Sequence, residues 1–328
     1  MTASLPPAPT TPPREPARAS RRGEGVPGAL PSAVRIWVMA ARVRTLPAAV
    51  APVLVGTSLA LGAGHFSALV FVAALLGAVF IQVGTNLSND YSDARRGADT
   101  EDRLGPVRVT AGGLVPPRQV LLATYVTFGL AVLCGAYLVS VAGWGLIAVG
   151  AASILAGVLY TGGPRPYGYE GLGEVFVFLF FGVVAVVGSY YVQVQALPWE
   201  PFVCAVPVGL LASAILVVNN VRDLDTDRRA GKRTLAVRLG RERTRNLYVA
   251  MLAVAFLCGP LPWALGSMSA WLLLCWGAAP LAVSVAKVVR TRVDGPSLNG
   301  ALAKTGALQL TFCLLLSAGI LASGGIGS

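Results

Sequence analysis

FSALVFVAALLGAVFIQVGTNLSNDYSDARRGADTEDRLGPVR, residues Phe66 to Arg108, passes from an apolar run straight into carboxylates and arginines. The run Phe66–Gly84 is long enough to cross the roughly 30 Å hydrocarbon core of a bilayer as a helix. Charge at the end of such a run lies at the membrane surface and needs a partner or a task. Asn89 and Asp93 are four apart and share one helix face. Asp99 follows just beyond Gly97, where a helix can end or bend. Oxygens of this kind are hard ligands of the sort Mg²⁺ takes.

A second stretch, NNVRDLDTDRRAGKRT from Asn219 to Thr234, repeats the pattern after another apolar run. Asn219, Asp223 and Asp227 recur every four residues, with Asp225 off that face. Asn89-x₃-Asp93 superposes on Asn219-x₃-Asp223, a short signal of internal repetition.

The whole chain reads the same way. Of 328 residues, 55% are hydrophobic and 12% charged, and the mean hydropathy is +0.68, which excludes an ordinary soluble domain. Apolar windows of about 20 residues recur at 46–64, 66–89, 117–139, 142–162, 171–195, 200–222, 246–265, 269–289 and 300–324. They predict an all-α membrane bundle of nine spans. Lys and Arg gather at alternate ends of these spans, and the outer loops and C-terminus hold none. By the positive-inside rule the N-terminus is cytoplasmic, the C-terminus is outside, and both acidic clusters face the cytoplasm. The formal charge of +11 is thus a cytoplasmic skirt suited to anionic lipid heads or a diphosphate, with no nucleic-acid partner expected. The five cysteines fall in apolar runs without CxxC or a His partner and read as small core residues.

Residues 1–32 are rich in Pro, Ala, Arg and Ser, cannot bury a core, and are expected to form a disordered cytoplasmic tail; residues 33–328 are the membrane domain. Ala33–Arg44 suits an interfacial amphipathic helix anchored by Trp37. Its Arg42 serves either as a positive-inside anchor or as a phosphate contact. The same choice applies to Arg95, Arg96, Arg103 and Arg108 beside the first cluster, as salt-bridge partners or as grips on phosphate oxygens. The segment after Asp99 carries Gly105, Pro106, Gly112, Gly113 and Pro116–Pro117, so it folds over the surface instead of extending a helix. In the turn Tyr160-Thr-Gly-Gly-Pro-Arg-Pro-Tyr-Gly-Tyr169, the residues Tyr160, Arg165, Tyr167 and Tyr169 are either an aromatic belt or part of a site. Glu174, four residues into the fifth window, points to a cavity, where intramembrane carboxylates are usually found.

Two acidic clusters flanked by Lys and Arg suit Mg²⁺ and a polyanion. Carboxylates alone repel a diphosphate; bridged by the metal, they hold it. Apolar spans around such a site suit a long hydrocarbon tail, and a prenyl diphosphate combines both parts.

The three stretches NDYSDARRGADTEDRLGPVR, YTGGPRPYGYEGLGE and NNVRDLDTDRRAGKRTLAVRLG occur in an order that resembles the UbiA superfamily of intramembrane prenyltransferases. The resemblance spans about residues 40 to 325 and is nearest to the menaquinone branch, the 1,4-dihydroxy-2-naphthoate polyprenyltransferases. It implies nine helices around a central cavity open to lipid, in a bacterial cell membrane. It also implies transfer of a polyprenyl group from its diphosphate to dihydroxynaphthoate with loss of CO₂. By motif position Asn89, Asp93 and Asp99 match the first Mg²⁺-diphosphate motif, and Asp223 and Asp227 the second. Arg42, Arg96, Arg103, Arg108, Arg222 and Lys232 are implied diphosphate contacts, and Tyr160, Arg165 and Asn219 form the implied acceptor pocket. The wide spacing to Asp99, with Gly at 97, resembles the menaquinone branch more than the 4-hydroxybenzoate branch. The rival readings are a 4-hydroxybenzoate prenyltransferase and, from another class, a secondary transporter. The clustering of acids at one edge, with only Glu200 outside, counts against transport.

Overall fold

Apolar segments in lipid must satisfy their backbone polar groups internally, which leaves helices as the natural spanning form for this chain. The computed structural model describes residues 32–98, 104–105 and 107–324. The helices are α1 Ala33–Ala41, α2 Pro47–Gly62, α3 Ala68–Arg95, α4 Pro117–Ala142, α5 Gly145–Leu159, α6 Gly173–Val194, α7 Glu200–Arg229, α8 Leu235–Leu239, α9 Arg241–Cys258, α10 Leu261–Ala264, α11 Ala270–Thr291 and α12 Gly295–Ala322. No strand occurs among the described residues. The tail expected at 1–32 lies, apart from Ser32, outside them.

Each predicted window contains a helix, yet only six helices are long and apolar enough to cross a bilayer alone. The pair Ala33–Thr45 and Pro47–Gly62, bent by 52°, makes seven. α5 has only 15 residues, and α9 opens on the charged Arg241-Glu-Arg-Thr-Arg245. Length and apolarity alone therefore do not reach the expected count of nine.

The bend before α2 has a local cause. Arg42 takes a left-handed conformation (φ 53°) that ends α1, and Pro47 sits in the first turn of α2. The Thr45 hydroxyl donates to Arg42 O (2.9 Å) and accepts from Gln82 Nε2 (3.1 Å) and Asn86 Nδ2 (3.2 Å) of α3. Asn86 also donates to Ala41 O (3.0 Å). Two amides of α3 thus fasten the corner. α1 buries Ala40 beside Leu87, Val109, Val115 and Val120, while Val34 and Val38 stay exposed. One covered and one open face is the arrangement expected of an interfacial helix.

α7 is the central helix, with 72% of its most apolar window buried. Around it, helix backbones approach one another where glycines leave no side chain between them. A Cβ on Gly182 of α6 would stand 2.6 Å from Gly209 Cα of α7, and one on Gly56 of α2 would stand 2.3 Å from Val186 O. This is membrane packing through small residues. At the same contact α6 widens to a π-wound stretch, Phe178–Val184, and both Phe180 and Phe181 line the cavity described below. All five cysteines are free thiols.

Gly182→Val is expected to cost about 1–3 kcal/mol by overpacking and to lower the thermal unfolding midpoint of the purified protein in detergent. An unchanged midpoint would mean that the α6–α7 approach is looser than described.

Candidate active site

The acidic stretches are the ends of α3 and α7, and they meet at one mouth of a cavity of about 1270 Å³. Asn89, Asp93, Asp223 and Asp227 all line it, together with Arg42, Arg108 and Lys232. The two motifs, far apart in sequence, therefore share one chamber.

Asp93 is only 2% exposed and fully engaged. Its Oδ2 lies 3.0 Å from Arg108 Nη2, and its Oδ1 accepts from the Tyr169 hydroxyl at 2.6 Å. Asn89 accepts from Thr161 Oγ1 (2.9 Å). Asp90, one residue round the helix, accepts from the backbone N–H groups of Val109 (3.1 Å) and Thr110 (2.9 Å). Asp90 thereby pins the backbone just past Arg108, in the described part of the Gly- and Pro-rich segment, which turns at 109–115 instead of extending a helix. Leu104 O of the same segment accepts from Asn299 Nδ2 of α12 (3.0 Å).

On α7, Arg222 forks onto the neighbouring Asp223 through Nε (2.8 Å) and Nη2 (2.6 Å). It also reaches Asn219 Oδ1 (2.8 Å) and Asn299 Oδ1 (2.7 Å). Asp227 lies 3.8 Å from Lys232 Nζ. Asp225, off the shared face as its spacing predicts, pairs with Arg241 (2.7 Å). Tyr169 links the clusters. Its hydroxyl meets Asp93, its ring lies 4.7 Å below Lys232 Nζ, and its carbonyl accepts from Arg233 N (2.8 Å).

Of the remaining sequence-predicted residues, Tyr160 and Asn219 line the cavity. Arg222 is buried among its partners and is not part of the lining. Arg96 is exposed, donates to Gly163 O, and lies 6.0 Å from the Tyr169 ring. Arg165 is exposed and outside the lining. Asp99 and Arg103 lie outside the described residues. Among the described residues no group of three or more His, Cys, Asp and Glu forms a ready metal cage. The donors present are hard oxygens, and Mg²⁺ is commonly held by one or two carboxylates plus substrate phosphates, so the residues fit that ion.

Sequence reasoning passed over Gln82, Asn86, Thr161 and Asn220, all in the lining. Gln82 and Asn86 continue the Asn89–Asp93 stripe backwards along α3, a helical spacing that could have found them. Thr161 comes from a turn, where no periodicity operates. Away from the polar mouth the lining is mainly apolar, with Phe176, Phe180, Val184 and Ile154 among its residues. Val132 of α4 and Trp144 between α4 and α5 line the cavity while being 56% and 81% exposed, so it opens sideways there. Beside the mouth, Tyr167 stacks on Phe176 (4.0 Å between centroids), meets Tyr160 edge-on, and donates to Ala156 O (2.8 Å). Burial pushes the Tyr167 phenol above its ordinary range, so it stays neutral.

The UbiA prenyltransferase family profile matches residues 49–303. A 1,4-dihydroxy-2-naphthoate octaprenyltransferase of Mycobacterium tuberculosis is 46% identical over 291 residues, 88% of this chain and 97% of that protein. The protein of the same name from Escherichia coli is 39% identical over 300 residues, 89% of this chain and 97% of its own length. Among solved structures, a UbiA homolog from Archaeoglobus fulgidus bound to GPP and Mg²⁺ aligns with a TM-score of 0.62 at 17% identity, covering 87% of this chain and 99% of that one. An apo UbiA homolog from Aeropyrum pernix aligns at 0.64 and 16%, covering 85% and 97%.

Asp90→Ala strips two buried backbone N–H groups of their acceptor, at a cost of about 1–3 kcal/mol each. The expected result is faster tryptic cleavage at Arg108 in the purified protein. Cleavage at the wild-type rate would show that the segment is held by something else.

Proposed function

We propose a reaction from one premise: this chain belongs to the UbiA prenyltransferase family. It is a membrane-embedded prenyltransferase, and the acceptor we assign is 1,4-dihydroxy-2-naphthoate, as in the names of its bacterial relatives. The allylic C–O bond of a polyprenyl diphosphate breaks, and diphosphate leaves with the electron pair. The ring carbon that bears the acceptor's carboxylate forms the new C–C bond, CO₂ departs, and its bonding electrons return to the ring. The products are the hydroquinone form, demethylmenaquinol, with CO₂ and diphosphate, a step of menaquinone biosynthesis.

One observation carries this reading: the acid-bearing ends of α3 and α7 line one chamber with Arg42, Arg108 and Lys232, and most of the wall away from that mouth is apolar. We assign Asn89, Asp93, Asp223 and Asp227 to hold Mg²⁺, with Asp99 completing the first motif. Bound there, the ion would neutralise charge on the departing diphosphate. Arg42, Arg108 and Lys232 bind the diphosphate from the chamber wall, and by motif position we assign Arg96 and Arg103 to the same group. Arg222, held by Asp223, Asn219 and Asn299, orients the second cluster. Tyr160 and Asn219 face the acceptor, and Arg165 stands at the outer rim. The Lys and Arg distribution supports a cytoplasmic mouth, with the N-terminus inside and the C-terminus outside a bacterial cell membrane.

Membranes containing the chain, given a labelled polyprenyl diphosphate, Mg²⁺ and dihydroxynaphthoate, are expected to yield prenylated naphthoquinol that disappears with EDTA. Product from 4-hydroxybenzoate alone would move the protein to another branch. Asp93→Ala and Asp223→Ala are each expected to cut turnover about a hundredfold or more with membrane insertion intact; full activity in either would remove the metal assignment.

A further inference from the structure

Between α6 and α7 lies a carboxyl group that the reaction above leaves without a task. Glu174, in the first turn of α6, is 4% exposed. Its Oε1 accepts from Asn220 Nδ2 at 2.8 Å, and its Oε2 is sealed from solvent with no hydrogen-bond partner among the described residues. The residue is fixed at its backbone as well, where Glu174 O accepts from Ser213 Oγ (3.0 Å). Sealing a carboxyl group in a membrane bundle for one hydrogen bond is costly. Packing alone would be better served by an apolar side chain.

Asn220 is where that cost has an effect. It is itself buried and lines the cavity on the same face of α7 as Asp223 and Asp227. One N–H of its NH₂ group is donated to Glu174, which sets the orientation of the carboxamide and leaves Oδ1 on the side away from Glu174. An Asn side chain that is free to flip presents either a donor or an acceptor. This one is held in a single orientation, with Oδ1 available as an acceptor. The same cavity is lined by Tyr160, Tyr167 and Phe176, whose flat ring faces suit an aromatic ring.

We propose that Glu174 is a positioning residue for the aromatic acceptor: it holds the Asn220 carboxamide so that Oδ1 accepts a hydrogen bond from a ring hydroxyl. The assignment rests on the reaction proposed above and deepens it. An acceptor oxygen backed by a carboxyl group selects a donor and turns away a carboxylate. The hydroxylated edge of the ring therefore faces α7, beside the acids of the second cluster. Hydrogen bonding from the hydroxyl to Oδ1 also leaves the ring more electron-rich, which favours attack on an allylic cation.

The test uses the full-length enzyme in lipid vesicles with Mg²⁺, and measures KM separately for the polyprenyl diphosphate and for dihydroxynaphthoate. Glu174→Leu and Asn220→Leu are each expected to raise the acceptor KM about tenfold, the loss of one ligand hydrogen bond, with the diphosphate KM unmoved. Glu174→Gln keeps an oxygen for Asn220 Nδ2 and should recover most of the acceptor affinity. The double Leu variant should be no worse than either single one, because the two residues act as a unit. An unmoved acceptor KM, an equal rise in both KM values, or a Gln variant as poor as Leu overturns the assignment. If Glu174→Leu does not fold, Asn220→Leu and Glu174→Gln decide between the same outcomes. Wild-type protein that prenylates no dihydroxynaphthoate sinks the reaction itself, whereas active wild type with unresponsive variants sinks only the role of Glu174.

Discussion

Asp93 shows the constraint on which the site depends: a carboxylate taken almost wholly out of water must be matched by donors at once. Arg108 and Tyr169 supply them at 3.0 and 2.6 Å, and each arrives from a different connecting segment. Arg108 is in place because Asp90 holds its backbone neighbours. Tyr169 is in place because its carbonyl accepts from Arg233, just past the second acidic cluster. One buried charge thus draws the ends of α3 and α7 and two connections into a single polar cap. Isolated, the same carboxylate would destabilise the bundle; removing either partner from a buried pair is typically more harmful than never having had the pair.

The second cluster meets the same demand in another way. Arg222 satisfies Asp223 from the adjacent position on α7 and spends its remaining donors on Asn219 and Asn299. Its guanidinium is a bracket that joins α7 to α12. A planar fork with several fixed donors does this where a lysine could not.

Much of this was legible in the sequence because a helix imposes a period. The stripes Asn89–Asp93 and Asn219–Asp223–Asp227, and the exclusion of Asp225, follow from residue spacing alone, and the apolar windows follow from hydropathy. What the chain does not spell out is which donor serves which acid. Arg108 and Arg222 look alike on paper, each a cation beside a carboxylate, yet one lines the chamber and the other is buried behind it. Tyr169 and Thr161 reach the site from turns whose course depends on tertiary packing. The number of spans is the feature least legible in the sequence, because α5 is short and α9 begins with charge.

The sideways opening at Val132 and Trp144 sets the currency in which this protein meets its ligands. On the proposed reaction, a substrate with a long apolar tail would enter and leave there through the lipid phase without crossing water. Its effective concentration is a mole fraction in the bilayer, so lipid added at constant bulk concentrations acts as a diluent. Rates then follow the composition of the two-dimensional solvent, and a thicker or more crowded leaflet at that side slows exchange even with the polar cap untouched.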